Sequence, residues 1–185
     1  KLGGIFYNAK EMIVLPILLC VAMWATDRLD GENLLFLLIG LLVVNFFAAM
    51  LGVHLGMMYA NSRTAVGVSL GTILFLVLGI AVCMRMMLAF QGSFGSQLQA
   101  FLAFMFGGGV GLVAAVGYRY ESKALVIACM SAPFATYFVM TSFLKANFGA
   151  ATLITVITYG FATAAMLVPA IDEFDVATGR TRTQD

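Results

Sequence analysis

Apolar residues along this chain come in blocks and do not alternate with polar ones. Six long runs, at 12–26, 34–59, 66–84, 98–118, 124–144 and 150–171, are separated by short polar segments. A helix needs roughly 20 apolar residues to cross the hydrocarbon core of a bilayer, so the runs read as membrane spans. The first is the shortest and holds Pro16; it is expected either to span with help from upstream residues or to tilt into the interface. Strand-like alternation is missing, which argues against a β-barrel. The pattern predicts an all-α, polytopic transmembrane helix bundle of about six spans with short loops. It places the membrane domain at 1–171 and a polar tail of mixed charge at 172–185.

Composition strengthens this picture. The 185 residues are 62% hydrophobic and 10% charged, against about 25% charged in a soluble domain. Such a chain has too few charges to cover its own surface in water, so lipid is expected as part of its solvent. The net charge of +1 includes no basic cluster, and nothing points to nucleic acid. The chain opens at Lys1 with no initiator Met and no signal-peptide layout, which suggests a piece of a longer protein.

Orientation follows from the basic residues. With six spans, Lys1, Lys10, Arg63, Arg119, Lys123, Arg180 and Arg182 share one side, while Arg28, Arg85 and Lys145 share the other. This predicts both termini in the cytoplasm of a cell whose inner, or plasma, membrane holds the protein. All nine acidic residues fall outside the runs. A carboxylate at membrane depth is what proton-coupled carriers and intramembrane aspartyl proteases rely on, and both classes are disfavoured.

Few polar residues remain inside the runs. His54 is the sole histidine, and Asn45 lies on the same run; both are candidates for a pathway or an interhelical hydrogen bond. One His with scattered Cys20, Cys83 and Cys129 makes no metal ligand set, and no metal is expected. Gly67-Val-Ser-Leu-Gly71 matches the GxSxG nucleophile pattern, but it lacks the preceding strand such an elbow needs. The same residues form GxxxG, as do Gly52/Gly56 and Gly107/Gly111, so these six glycines are expected to let helices pack closely. Pro133 is a candidate kink in the fifth run, and Pro169 marks the expected exit of the sixth. Trp24 and Tyr118 suit interfacial anchoring, Arg85 is placed to snorkel, and no Walker-type motif is present. No catalytic residue and no cofactor are expected on the chain.

One stretch breaks the oil conspicuously. Ala60-Asn-Ser-Arg-Thr-Ala65, followed by Ser69 and Gly71, stands between the second and third runs. Together with 101–111 and 159–179 and the six-run layout, it resembles the permease subunits of bacterial exporter-type ABC transporters. That resemblance implies a non-catalytic transport subunit, paired as a homodimer or heterodimer of permeases, that works with a separate ABC ATP-binding subunit on which ATP is held. It also implies that Asn61, Ser62, Arg63 and Thr64 form the loop coupling ATPase closure to the helices. Arg63 could offer a fork of donors to a partner carboxylate, while Asn61, Ser62 and Thr64 could cap the third helix. The short first run and the tight turn at 145–149 depart from the family pattern. An ATP-independent carrier or channel, or a structural subunit of a membrane complex, are the alternative readings.

Overall fold

A computed structural model describes residues 10–89, 94–117 and 122–177. All the regular structure within them is helical: α1 (Lys10–Ala25), α2 (Gly31–Met58), α3 (Ser62–Leu74), α4 (Ile80–Ala89), α5 (Phe94–Val116), α6 (Lys123–Leu144) and α7 (Phe148–Ala177). A π-helical turn, Phe75–Gly79, joins α3 to α4 without a break in the helix. Among the described residues, five helical stretches are long and apolar enough to cross a membrane: Gly31–Met58, Ser62–Met86, Gln97–Val116, Lys123–Leu144 and Phe148–Val168. The chain is a multi-pass membrane protein built as an all-α bundle.

The two ends of the chain refine the expected layout. Within the described residues the first run is a helix of 16 residues, Lys10–Ala25, about 24 Å at 1.5 Å per residue, against a core of ~30 Å. Among the described residues five helices meet the spanning criterion, and α1 packs against α2. At the other end the apolar span runs from Phe148 to Val168, just before position 169, while the helix itself continues to Ala177. The beginning of the expected tail is thus helical, and 178–185 lie outside the described residues. Pro133 sits buried inside an unbroken α6, and Tyr118 falls outside the described residues.

The connections are tight. Between α1 and α2, Asp27 adopts φ 53°, with its N–H on the Trp24 carbonyl and the Arg28 N–H on Met23. Between α6 and α7, Ala146 adopts φ 54°, with its N–H on Phe143 and the Asn147 N–H on Ser142. Both are left-handed helix stops of the Schellman type, which normally take glycine. Asn147 Oδ1 then accepts from the Ala150 N–H at 3.1 Å, opening α7.

α2 packs along α7, α7 along α6, and α6 along α5; the α3–π–α4 rod closes the ring by touching α2, α5 and α6. In lipid there is no hydrophobic drive between helices, so small residues that permit close approach take over. The α6–α7 contact follows this rule with alanine: Ala128, Ala132 and Ala135 face inward on α6, as do Ala151, Ala162 and Ala165 on α7. Larger side chains fill the remainder of the core, among them Leu51, Leu55, Met105, Leu125 and Met166. The outer faces carry exposed Leu42, Val66, Leu78, Ile127 and Ile157, as lipid-facing helices should.

Candidate functional site

The polar island forms a three-residue connection. α2 ends as Tyr59 turns extended (φ −98°, ψ 124°), and Asn61, also extended, caps α3 by accepting the Arg63 N–H on Oδ1 at 3.1 Å. An Asn N-cap satisfies one of the free donors of a helix start. The cap falls to Asn61 alone: Ser62 and Thr64 stand in the first turn, exposed like Asn61 and Arg63. The Arg63 guanidinium, at a helix start where it receives no help from the macrodipole, is presented at the bundle end.

Behind this turn the bundle is bolted shut. The final carbonyls of a helix lack intrahelical donors, and α5 ends at Val116. His54 Nε2 donates to the Val116 carbonyl at 3.0 Å, and Tyr59 Oη donates to the Ala115 carbonyl at 3.0 Å. Because a carbonyl can only accept, the Nε2 nitrogen of His54 carries its proton. His54 is fully buried and serves as an interhelical cap. Asn45 plays no such part. Its Nδ2 donates to Leu41 O at 2.8 Å on its own helix, and it lines a groove of about 490 Å³ beside Ile13 and Ile17 of α1.

The glycines divide differently from the expectation. At Gly52, Gly56, Gly67, Gly71, Gly107 and Gly111 a Cβ would meet nothing within 4 Å, so among the described residues none of the six brings two helices of this chain together. Gly52 and Gly56 instead line an outer groove of about 460 Å³ with Tyr59, Ser62, Ala65 and Ser69. Close approach occurs at the two glycines the GxxxG spacing passes over. A Cβ on Gly108 would run into the Phe75 ring, and one on Gly109 would stand 3.0 Å from Met130 Sδ and 3.2 Å from its Cα. Phe75, the first residue of the π turn, lies 5.6 Å from Phe104 between ring centroids.

The other half of the bundle is cleft, and the cleft opens outward past the exposed side chains of Val44, Val77 and Phe143. A cavity of about 420 Å³ lies between α1, α2, the π turn, α6 and α7, with Phe36 and Phe143 towards the Lys145–Asn147 end and Phe47 and Leu76 near mid-span. Its wall is hydrocarbon apart from the Cys20 thiol and four hydroxyl side chains, Thr136, Thr152, Thr155 and Tyr159. Thr152, Thr155 and Tyr159 share one face of α7 by their i, i+3, i+7 spacing. Thr136 Oγ1 lies 2.6 Å from Tyr159 Oη and donates to Ala132 O at 2.7 Å; Thr152 Oγ1 donates to Phe36 O at 2.9 Å, and Thr155 Oγ1 to Ala151 O at 2.8 Å. A sparse set of polar groups in an apolar cavity of this size is the usual form of a small-molecule site. None of these four residues was singled out by the sequence patterns. The signal available was three hydroxyls on one face of an otherwise apolar span.

Among the described residues, no three His, Cys, Asp or Glu side chains come together. Ser69 lines the outer groove while the His54 Nε2 proton is committed to Val116. No protein-family model, no curated protein and no solved structure matches this chain.

Proposed function

We propose that this chain is a permease subunit of an ATP-driven ABC-type exporter, moving a substrate across the bacterial inner membrane together with a separate ATP-binding subunit. The observation that carries the reading is the exposed, capped turn from Asn61 to Thr64, which starts the α/π/α rod of the bundle. A push on a rigidly capped helix start is transmitted along the helix, and Arg63 offers a bidentate contact to a carboxylate on a partner. The excess of basic residues supports a cytoplasmic position for this turn. If α1 crosses the membrane, both termini are cytoplasmic; if it lies in the interface, the N-terminus is outside. The open faces at Gly52/Gly56 and Gly67/Gly71 support pairing with a second permease copy or a related one.

The test is affinity purification of the tagged chain from native membranes in mild detergent, wild type beside Arg63→Glu. A Walker-motif ATPase that accompanies the wild type and is lost in the mutant is the expected result. Absence of an ATPase from both would overturn the reading. The cavity favours one alternative, an ATP-independent carrier, because it is assembled within a single chain. Substrate uptake into liposomes containing this chain alone would select that alternative.

A further inference from the structure

The four hydroxyls of the cavity can be assigned proton by proton. A threonine or tyrosine hydroxyl has one hydrogen to donate and lone pairs to accept with. Thr152 gives its hydrogen to the Phe36 carbonyl and Thr155 gives its own to the Ala151 carbonyl. Thr136 gives its hydrogen to the Ala132 carbonyl. The 2.6 Å contact between Thr136 Oγ1 and Tyr159 Oη must then be donated by Tyr159, since the Thr136 hydrogen is already used. Every hydroxyl hydrogen in the wall is therefore committed to the protein. Among the described residues, what remains for an occupant is oxygen lone pairs, with the weakly donating Cys20 thiol as the one other polar hydrogen on a lining side chain.

From this we infer that the cavity is a binding site for a neutral, mainly hydrocarbon molecule that donates a hydrogen bond, of the chemical class of a long-chain or polycyclic alcohol. Three properties select that class. The wall is almost wholly apolar, so most of the occupant is hydrocarbon. Among the described residues no charged side chain lines the cavity, so an ionic head group would stand in low dielectric without a partner. The polar positions accept and do not donate, so a phosphate, sulfonate or carboxylate oxygen would meet lone pairs, whereas an O–H would be taken up. The Tyr159–Thr136–Ala132 chain runs donor to acceptor in one direction and is polarised accordingly, and Tyr159 sits near the middle of its span. The hydroxyl of the occupant is thus placed at mid-membrane, and its hydrocarbon extends past Val44 and Met140 towards Phe36 and Phe143. The assignment stands apart from any ATPase partner.

The test uses the full chain in phosphatidylcholine nanodiscs and three probes of equal length bearing a mid-chain diazirine: a long-chain alcohol, its methyl ether and the corresponding sulfonate. The alcohol is expected to label peptides of α2 and α7 that line the cavity, and to compete about tenfold better than the ether, the scale of one buried hydrogen bond. The sulfonate is expected to label these peptides least. Tyr159→Phe combined with Thr136→Val removes both mid-membrane acceptors and should erase most of the preference for alcohol over ether. Thr155→Val, which breaks only a bond within α7, should reduce it without disturbing helix contacts. Equal labelling by alcohol and ether would mean that ordinary acyl chains fill the space and would overturn the inference. So would preference for the sulfonate, labelling confined to residues outside the cavity, or an unchanged preference in both variants.

Discussion

The two ends of the bundle are built from the same helices and finished in opposite ways. Towards the Tyr59–Asn61 turn, Leu51, Leu55, Leu125 and Met166 are almost wholly buried, and His54 and Tyr59 tie α2 to the last carbonyls of α5. Towards the Lys145–Asn147 turn, the corresponding space is left as a cavity of about 420 Å³, and its hydroxyls bond to helix carbonyls or to each other. Helix packing in lipid gains nothing from excluding water, so it depends on contact and on satisfied polar groups. A half with full contact and interhelical caps resists deformation. A half in which the contacts are missing can change volume when something enters.

Substitutions break or sharpen this contrast. Leu51→Ala in the packed half should lower stability by about 3 kcal/mol, because the surroundings of a 1% exposed leucine cannot collapse. Val44→Ala, which only enlarges the existing cavity, should cost less than about 1 kcal/mol. Denaturation of both in a common detergent measures the difference, and equal losses would erase the distinction between halves. His54→Leu leaves the Val116 carbonyl without its donor and should cost roughly 2 kcal/mol. His54→Gln, which can still donate, should recover part of it; if it behaves as Leu does, the cap is unimportant.

Smaller effects come from glycine and alanine. Gly108→Ala forces the Phe75 ring out of its place and should destabilise by about 1–2 kcal/mol. Its neighbour Gly107 faces open space, so Gly107→Ala should be neutral or stabilise by about 0.5 kcal/mol through helix propensity. Two adjacent glycines with opposite responses would locate the helix contact to a single residue. Ala146→Gly relieves a left-handed alanine and should stabilise by about 0.5 kcal/mol, the smallest shift, read as a modest rise in melting temperature.

The membrane helices were legible because lipid demands unbroken apolar runs: 34–59 became Gly31–Met58, and 124–144 became Lys123–Leu144. That α3 starts with a side-chain cap was legible too, but the sequence offered Asn61, Ser62 and Thr64 alike, and the choice of Asn61 is made by the backbone turn. The cavity was not, because a threonine facing a hollow and one facing lipid look alike in a uniformly apolar stretch. Nor could spacing choose among Gly107, Gly108 and Gly109. Three successive glycines cover most of a helix circumference, and the choice is made by Phe75 on another helix. The π turn left no trace either: Phe-Leu-Val-Leu-Gly continues the run on both sides.

That turn has a consequence for how the chain tolerates changes in length. A π-helical turn closes its ring one residue later than an α-helical turn, so it holds one extra residue while the helix before and after keeps its phase. Deleting a single residue between Phe75 and Gly79 would convert the segment to plain α-helix and leave Thr72 and Ile80 facing the interior as they do now. A gap in the middle of a membrane span would ordinarily rotate everything beyond it out of register. Here the chain carries a built-in slack of one residue, and a related sequence shorter by one at this point would still superimpose helix for helix.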